Sequence, residues 1–352
     1  MEGDIKNVIK YWIEGEIENF IKVWLLIYVS LCYCFLASKI LPKGLYSLLS
    51  FLPVIFFFLY VPLKINSIHL CGNTGFFISW LCNFKLILLA FDQGPLSDSS
   101  LSIAKFIILA CLPIKIQQKS QKISEIYVKN RKGQILNYGI KTLLFALIIR
   151  VHDYSDNIHP YIIVVIYCFH IYLCLDIILA IVSGLARGLL GLELEPQFNE
   201  PYLSSSLQDF WGRRWNLIVT RILRPTVYKP ILGLSANILG RNWAPLPAVM
   251  ATFLVSGLMH ELIFYYLCRA KPTWEITWFF LLHGVCLNIE ICAKKAINGR
   301  FNLPRIIETI LTVGFVMITG FWLFFPQLLR CNSDVRALAE YQVIGTFFKD
   351  VT

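Results

Sequence analysis

Apolar residues in this chain gather in long blocks rather than in alternation. Seven blocks are nearly free of charge: Ile21–Ser38, Leu45–Leu63, Phe76–Phe91, Tyr161–Val182, Leu246–Leu267, Trp274–Ala293 and Ile306–Leu328. At about 16–23 residues each, with a 1.5 Å rise, most of them match roughly 30 Å of hydrocarbon. Each is predicted to be a membrane-crossing helix. Two shorter runs, Ile103–Ile114 and Ile140–Val151, have about 12 residues, which suits a re-entrant, interfacial or bundle-buried segment. Proline at 42, 53, 62, 113, 245 and 326 is placed to end or kink these helices. The expected fold is an all-α, polytopic transmembrane helical bundle of seven to nine spans. No internal repeat is visible, and residues 1–352 are read as a single integral membrane domain.

Two polar segments break the pattern. Residues 115–141 hold Lys115, Lys119, Lys122, Lys129, Arg131, Lys132 and Lys141, and residues 183–245 hold Arg187, Arg213, Arg214, Arg221, Arg224, Lys229 and Arg241. Basic loops stay on the cytosolic side. Both segments can do so if Ile140–Val151 crosses the membrane and Ile103–Ile114 dips in from the cytosolic face. The amino terminus is then lumenal, and 294–305, with Lys294, Lys295, Arg300 and Arg305, is cytosolic. Within the first 19 residues Glu2, Asp4, Glu14, Glu16 and Glu18 outweigh Lys6 and Lys10. That is the wrong sign for a cleavable signal, so the first apolar block is expected to remain in the protein.

Composition narrows the class further. Of 352 residues, 57% are hydrophobic and 15% charged, with a mean hydropathy of +0.63. A soluble chain of this length could not bury that much apolar surface. Disordered and disulfide-stapled secreted classes are excluded by the same figures. The net charge of +10 is accounted for by the basic loops. Most of the 11 cysteines (Cys32, Cys34, Cys82, Cys111, Cys168, Cys174, Cys286 and Cys292 among them) lie inside apolar runs and are expected to be free thiols.

Chemistry concentrates between residues 193 and 283. A non-helical stretch, Glu195–Pro201, precedes Ser204–Asn216. There Ser205 with Gln208, and Ser206 with Asp209, have capping-box spacing, so a helix is expected to start. Continued at 100° per residue, it would gather Arg213, Arg214, Arg221 and Arg224 in an arc of about 100°, with Trp211, Trp215, Ile218 and Ile222 on another face. Such a helix could hold anionic headgroups or the phosphates of a ligand such as coenzyme A.

The Leu246–Leu267 block carries one ionisable pair, His260–Glu261. An ionisable group at that depth costs roughly 3 kcal/mol or more, which marks it as functional by default. His260 is therefore the candidate base. Glu261 points about 100° away from it on a helix, and Ser256, four residues earlier, shares its face. Ser at that spacing more often serves a carbonyl or close helix packing than nucleophilic attack. His170 and His283 can be satisfied by backbone carbonyls, and His69, His152 and His159 lie at segment ends. Position 264 is Phe, which removes the HExxH zinc motif, and neither a phosphate-binding GxxxxGK[ST] nor a GxSxG element is present.

Leu194-Glu-Pro-Gln-Phe-Asn-x-Pro-Tyr-Leu-x-x-Ser-Leu-Gln-Asp-Phe-Trp-Gly-Arg-Arg-Trp-Asn216 closely resembles the plant wax ester synthase family. These are long-chain-alcohol O-fatty-acyltransferases related to the membrane-bound O-acyltransferases. Phe91–Leu96 and Thr252–Glu261 share the likeness, which runs along nearly the whole chain. In the wider superfamily a Phe-Tyr-x-Asp-Trp-Trp-Asn motif precedes a buried catalytic His. Phe210, Trp215 and Asn216 match it, whereas Trp211, Arg213 and Arg214 replace Tyr, Asp and Trp.

The resemblance implies transfer of an acyl group from acyl-CoA to a long-chain fatty alcohol in the endoplasmic reticulum membrane. His260 would be general base, with Asn216 either orienting it or polarising the thioester. Phe210, Trp211, Arg213, Arg214, Trp215, Arg221 and Arg224 are the candidate substrate-binding residues. Acyl-CoA enters as co-substrate, with no further cofactor, no metal and no nucleic-acid partner; membrane lipid is the remaining partner. Sterol and diacylglycerol are rival acceptors, and a lipid transporter is the non-enzyme alternative. A fatty alcohol is a poor nucleophile that needs a base within hydrogen-bond reach, which neutral imidazole supplies.

Overall fold

The structure is a computed structural model that describes residues 2–112, 121–152, 154, 157–190, 197–297 and 303–351. Every regular element among them is helical. Among the described residues seven segments are long and apolar enough to cross a membrane: Gly15–Ile40, Leu45–Lys64, Ile68–Ala90, Tyr161–Val182, Pro245–Cys268, Glu275–Ala296 and Arg305–Arg330. They correspond one for one to the seven predicted blocks. The third starts eight residues earlier than its apolar pattern, at Ile68, because polar groups hold its first turn. Ser67 accepts from Leu70 N–H, and Glu340 accepts from Ile68 N–H at 2.6 Å and His69 N–H at 3.2 Å. Glu16 accepts from Asn66 and Ser67 N–H. Four backbone donors at a helix entrance thus meet two carboxylates, and both neutralise the positive end of the helix dipole.

The two short runs separate clearly. Ile103–Cys111 is a nine-residue helix, about 13 Å long and too short to cross. Its amino end is capped by Ser102. At its other end Lys85, only 2% exposed, donates to the carbonyls of Leu109, Ala110 and Leu112 at 2.6, 3.2 and 2.7 Å. A buried ammonium with three donors and three acceptors is fully satisfied. The other run, Ile140–Val151, is the apolar end of a continuous helix, Gln121–His152. Lys115, Lys119, Glu195, Pro196 and Arg300 lie outside the described residues.

The chain forms two compact units. The first comprises Met1–Pro113, Ile218–Arg300 and Trp322–Thr352, the second Ile114–Leu217 and Phe301–Phe321. In the second, Gln121–His152 packs on Pro160–Leu190, with a Lys141–Asp176 ion pair at 2.6 Å. Tyr172, Leu173 and Phe198 form its buried core, against which Phe145, Ile148 and Trp215 pack.

Within the first unit the helix ends sort into two groups. At one, Arg269 donates to the carbonyls of Pro62 and Ile65, and Arg336 to those of Asn66 and Leu267. Cys268 and Cys331 are joined there by a disulfide. At the other, Gly44 N–H reaches Ala90 O, Lys39 reaches Ser99 O and Lys295 reaches Asn242 O. The alternation of sides drawn from basic loops gives the same two groups. None of the eight cysteines expected as thiols is disulfide-bonded. The Cys268–Cys331 pair carried no sequence signal, since it lies 63 residues apart and is brought together only by the helix ends.

Candidate active site

His260 is carried by Pro245–Cys268, which packs along Glu275–Ile297. Two glycines set that approach. A Cβ on Gly257 would stand 3.1 Å from the Thr277 Cα, and one on Gly284 would stand 3.1 Å from both Met250 Sδ and Phe253 Cβ. Glu261, 3% exposed, turns away from His260 and caps the second helix, accepting from Thr277 N–H at 3.2 Å and from its hydroxyl at 3.4 Å. The adjacent ionisable pair thus divides into a cap and an imidazole that faces elsewhere.

Three aromatic side chains surround the His260 ring: Phe280 at 4.4 Å between ring centroids, Trp80 at 5.0 Å and edge-on at 80°, and Phe324 at 6.0 Å. Its Nδ1 lies 2.7 Å from the Ser256 carbonyl oxygen. A carbonyl only accepts, so Nδ1 carries the proton, and in the neutral ring Nε2 presents its lone pair. Ser256 therefore serves His260 through its backbone, fixing the tautomer. Counting about 1.5 Å per residue from Pro245 puts His260 roughly 22 Å along the helix.

The motif 197–216 belongs to the second unit and does not continue as the single helix expected. Ser206 does cap the start, accepting from Asp209 N–H at 3.1 Å, while Asp209 Oδ2 accepts from Ser205 N–H at 3.3 Å. The backbone then widens to a π-turn over Phe210–Arg214, closed by Trp215 N–H to Phe210 O at 2.8 Å. Trp215 is extended, and Asn216 takes a left-handed conformation at φ 40°, which Asn tolerates better than most residues. The helix is broken there. It resumes at Leu217–Leu223, and Leu217 N–H returns to Gln197 O.

Phe210 stacks on Trp215 at 5.4 Å, and Phe198 meets Trp215 edge-on at 5.1 Å. Arg214 Nε donates to Asp209 Oδ2 at 2.6 Å and its Nη1 to the carbonyls of Asn199 and Glu200. Five residues apart, Asp209 and Arg214 are poor partners on an α-helix; the π-turn brings them together.

Residues 194–282 match the sequence model of the membrane bound O-acyl transferase family. The chain is 48% identical over 328 residues to acyl-CoA–sterol O-acyltransferase 1 of Arabidopsis thaliana, covering 93% of this chain and 95% of that one. It is 44% identical to the long-chain-alcohol O-fatty-acyltransferase of Simmondsia chinensis, covering 90% and 91%. Against probable long-chain-alcohol O-fatty-acyltransferase 3 of Arabidopsis thaliana it is 43% identical, covering 99% and 97%. The chain belongs to the membrane bound O-acyl transferase family.

In this membrane bound O-acyl transferase the arginine arc is replaced by two separate settings. Arg213 is exposed on the π-turn of the second unit, whose Arg214 is tied into the motif. Arg221 and Arg224 are exposed in the first unit. Trp211 is half-buried against Phe210. Asn216 is grouped with the second unit and His260 with the first. Sequence reasoning missed Trp80, Phe280 and Phe324, which no motif marks and which come from three different helices. Among the described residues no three His, Cys, Asp or Glu side chains converge as metal ligands would.

Proposed function

We propose that this acyltransferase joins a fatty acyl group from acyl-CoA to the hydroxyl of a long-chain primary alcohol, giving a wax ester and free CoA. His260 is the general base. The observation that carries this reading is the fixed tautomer: an imidazole deep in an apolar span, with Nδ1 held by a carbonyl and Nε2 left as the acceptor. That lone pair takes the hydroxyl proton as the alcohol oxygen attacks the thioester carbon. The C–S bond then breaks, and the proton passes to the departing thiolate.

Relatives named as long-chain-alcohol O-fatty-acyltransferases over nearly the full chain support the alcohol as acceptor. Seven candidate spans and a disulfide between two helix ends of one group, which an oxidising lumen sustains, support the endoplasmic reticulum membrane. Arg213 in one unit, and Arg221 and Arg224 in the other, are each proposed as forked donors for the phosphates of CoA. Asn216, on the motif that also carries Phe210, Trp211 and Trp215, is the second residue proposed for the chemistry.

The test uses microsomes from a yeast host, labelled palmitoyl-CoA, and dodecanol, a plant sterol or diacylglycerol in separate tubes. Wax ester should exceed steryl ester, and His260→Ala should lower turnover by about 10²–10⁴ at undiminished protein level. A near-wild-type rate in that variant removes His260 from the mechanism. Sterol as acceptor is the second reading, favoured by the relative at 48% identity. An excess of steryl ester over wax ester would establish it.

A further inference from the structure

The wall around His260 holds a hydrogen-bond donor with nothing to bond. Trp80 is fully buried, at 0% exposure, and its indole N–H has no acceptor among the described residues. Buried indole N–H groups usually find a partner, so an unpaired one marks a place where an acceptor arrives from outside. Trp80 stands edge-on to the His260 ring. Of the three aromatic side chains against that ring it alone carries a donor; Phe280 and Phe324 have none.

Its backbone is unusual as well. Residues Gly75–Cys82 form a π-helical segment inside the Ile68–Ala90 span, a distortion that tends to occur at functional sites. That segment is locked to the His260 helix. A Cβ on Gly75 would meet the Tyr266 ring at 3.0 Å, and the Tyr266 hydroxyl donates to Leu59 O at 2.5 Å. Indole and imidazole are therefore held on one rigid frame.

We propose that Trp80 is a catalytic residue whose indole N–H stabilises the oxyanion of the acyl-transfer step, a reading that rests on His260 as the base. When the alcohol oxygen bonds to the thioester carbon, its proton moves to His260 Nε2 and the carbonyl π pair moves onto oxygen. That oxygen, now negative among apolar side chains, accepts from the indole N–H. Collapse restores the carbonyl, breaks the C–S bond and returns the proton to sulfur. A donor already in place before reaction stabilises the charged state more than the neutral thioester. Bonded to the alcohol oxygen instead, it would blunt the nucleophile.

The test compares wild type, Trp80→Phe, His260→Ala, and a chain in which the Trp80 indole is replaced by benzothiophene, which keeps the ring's shape and lacks the N–H. Each is assayed in microsomes with palmitoyl-CoA and dodecanol and normalised to protein level. Both Trp80 changes should lower kcat by about 10²-fold, as removal of one oxyanion donor does, with KM for both substrates within about two-fold. If Trp80→Phe fails to accumulate, the benzothiophene chain decides. Benzothiophene activity near wild type, beside an inactive His260→Ala, would overturn the proposal and leave Trp80 as packing. An active His260→Ala would overturn the base assignment beneath it.

Discussion

Gly257 shows how far one residue can be read in isolation. It lies one turn before His260, and a small residue there invites the idea of a narrow slot that admits a straight chain and refuses a fused ring. The structure fills that space with the neighbouring helix, since any Cβ at 257 would meet the Thr277 backbone at 3.1 Å. Gly257 therefore sets helix approach, as small residues in membrane helices do. Gly257→Val should destabilise the protein by about 1–3 kcal/mol through overpacking, seen as a lower melting temperature in detergent. The ratio of wax ester to steryl ester should stay unchanged. A shifted ratio at unchanged stability would restore the slot. His260 itself was legible from the sequence because an ionisable side chain in an apolar block has few bland explanations. Its aromatic partners were not, because Trp80 and Phe324 look like every other aromatic residue in an apolar run of this composition.

Among elements, the membrane-crossing helices were legible because hydrocarbon demands a long apolar run. The breaks were not, because they depend on hydrogen bonds between residues that the α-helical period keeps apart. The motif 197–216 illustrates the point: Asp209 and Arg214 pair across a π-turn, with side chains 17% and 14% exposed. Arg214→Gln should therefore cost stability, on the order of 1–3 kcal/mol, and Asp209→Asn should do the same. Arg213→Gln should instead raise KM for acyl-CoA at normal stability. Melting curves and acyl-CoA titrations of the three variants distinguish the roles. Equal loss of stability in all three would contradict this division.

Lys85 offers a similar case at the other end of the sequence. A cation inside an apolar run suggests function, yet its three bonds close the end of Ile103–Cys111. Lys85→Met should leave those carbonyls unsatisfied and expose residues 97–112 to protease in membranes. An unchanged digestion pattern would show that the helix end holds without it.

For the whole molecule, acid sensitivity should have a definite location. Burial alone would raise the Glu340 carboxyl. Hydrogen bonds from the His69 ring and from the Ile68 and His69 N–H groups more than offset this and hold it below the ordinary carboxylate value. A group with a depressed folded pKa stabilises above its unfolded value of about 4.3 and loses that contribution as pH falls through the folded one. Melting temperature should therefore drop between about pH 5 and pH 3, and Glu340→Gln should flatten that part of the profile while lowering stability at neutral pH. An unchanged profile in the variant would place the acid sensitivity elsewhere.

The first unit is assembled from three stretches of chain, the last being Trp322–Thr352. That stretch brings Phe324 to His260, Cys331 to Cys268 and Glu340 to the entrance of the third span. During synthesis the ribosome has passed His260 long before any of these arrive. The surroundings of His260 are thus left unfinished until this late stretch has been made. A premature stop near residue 320 would release a polypeptide that keeps the whole 194–282 motif region and its base, yet lacks a wall, a bridge and a cap. Such products should be substrates for quality-control degradation rather than slow enzymes.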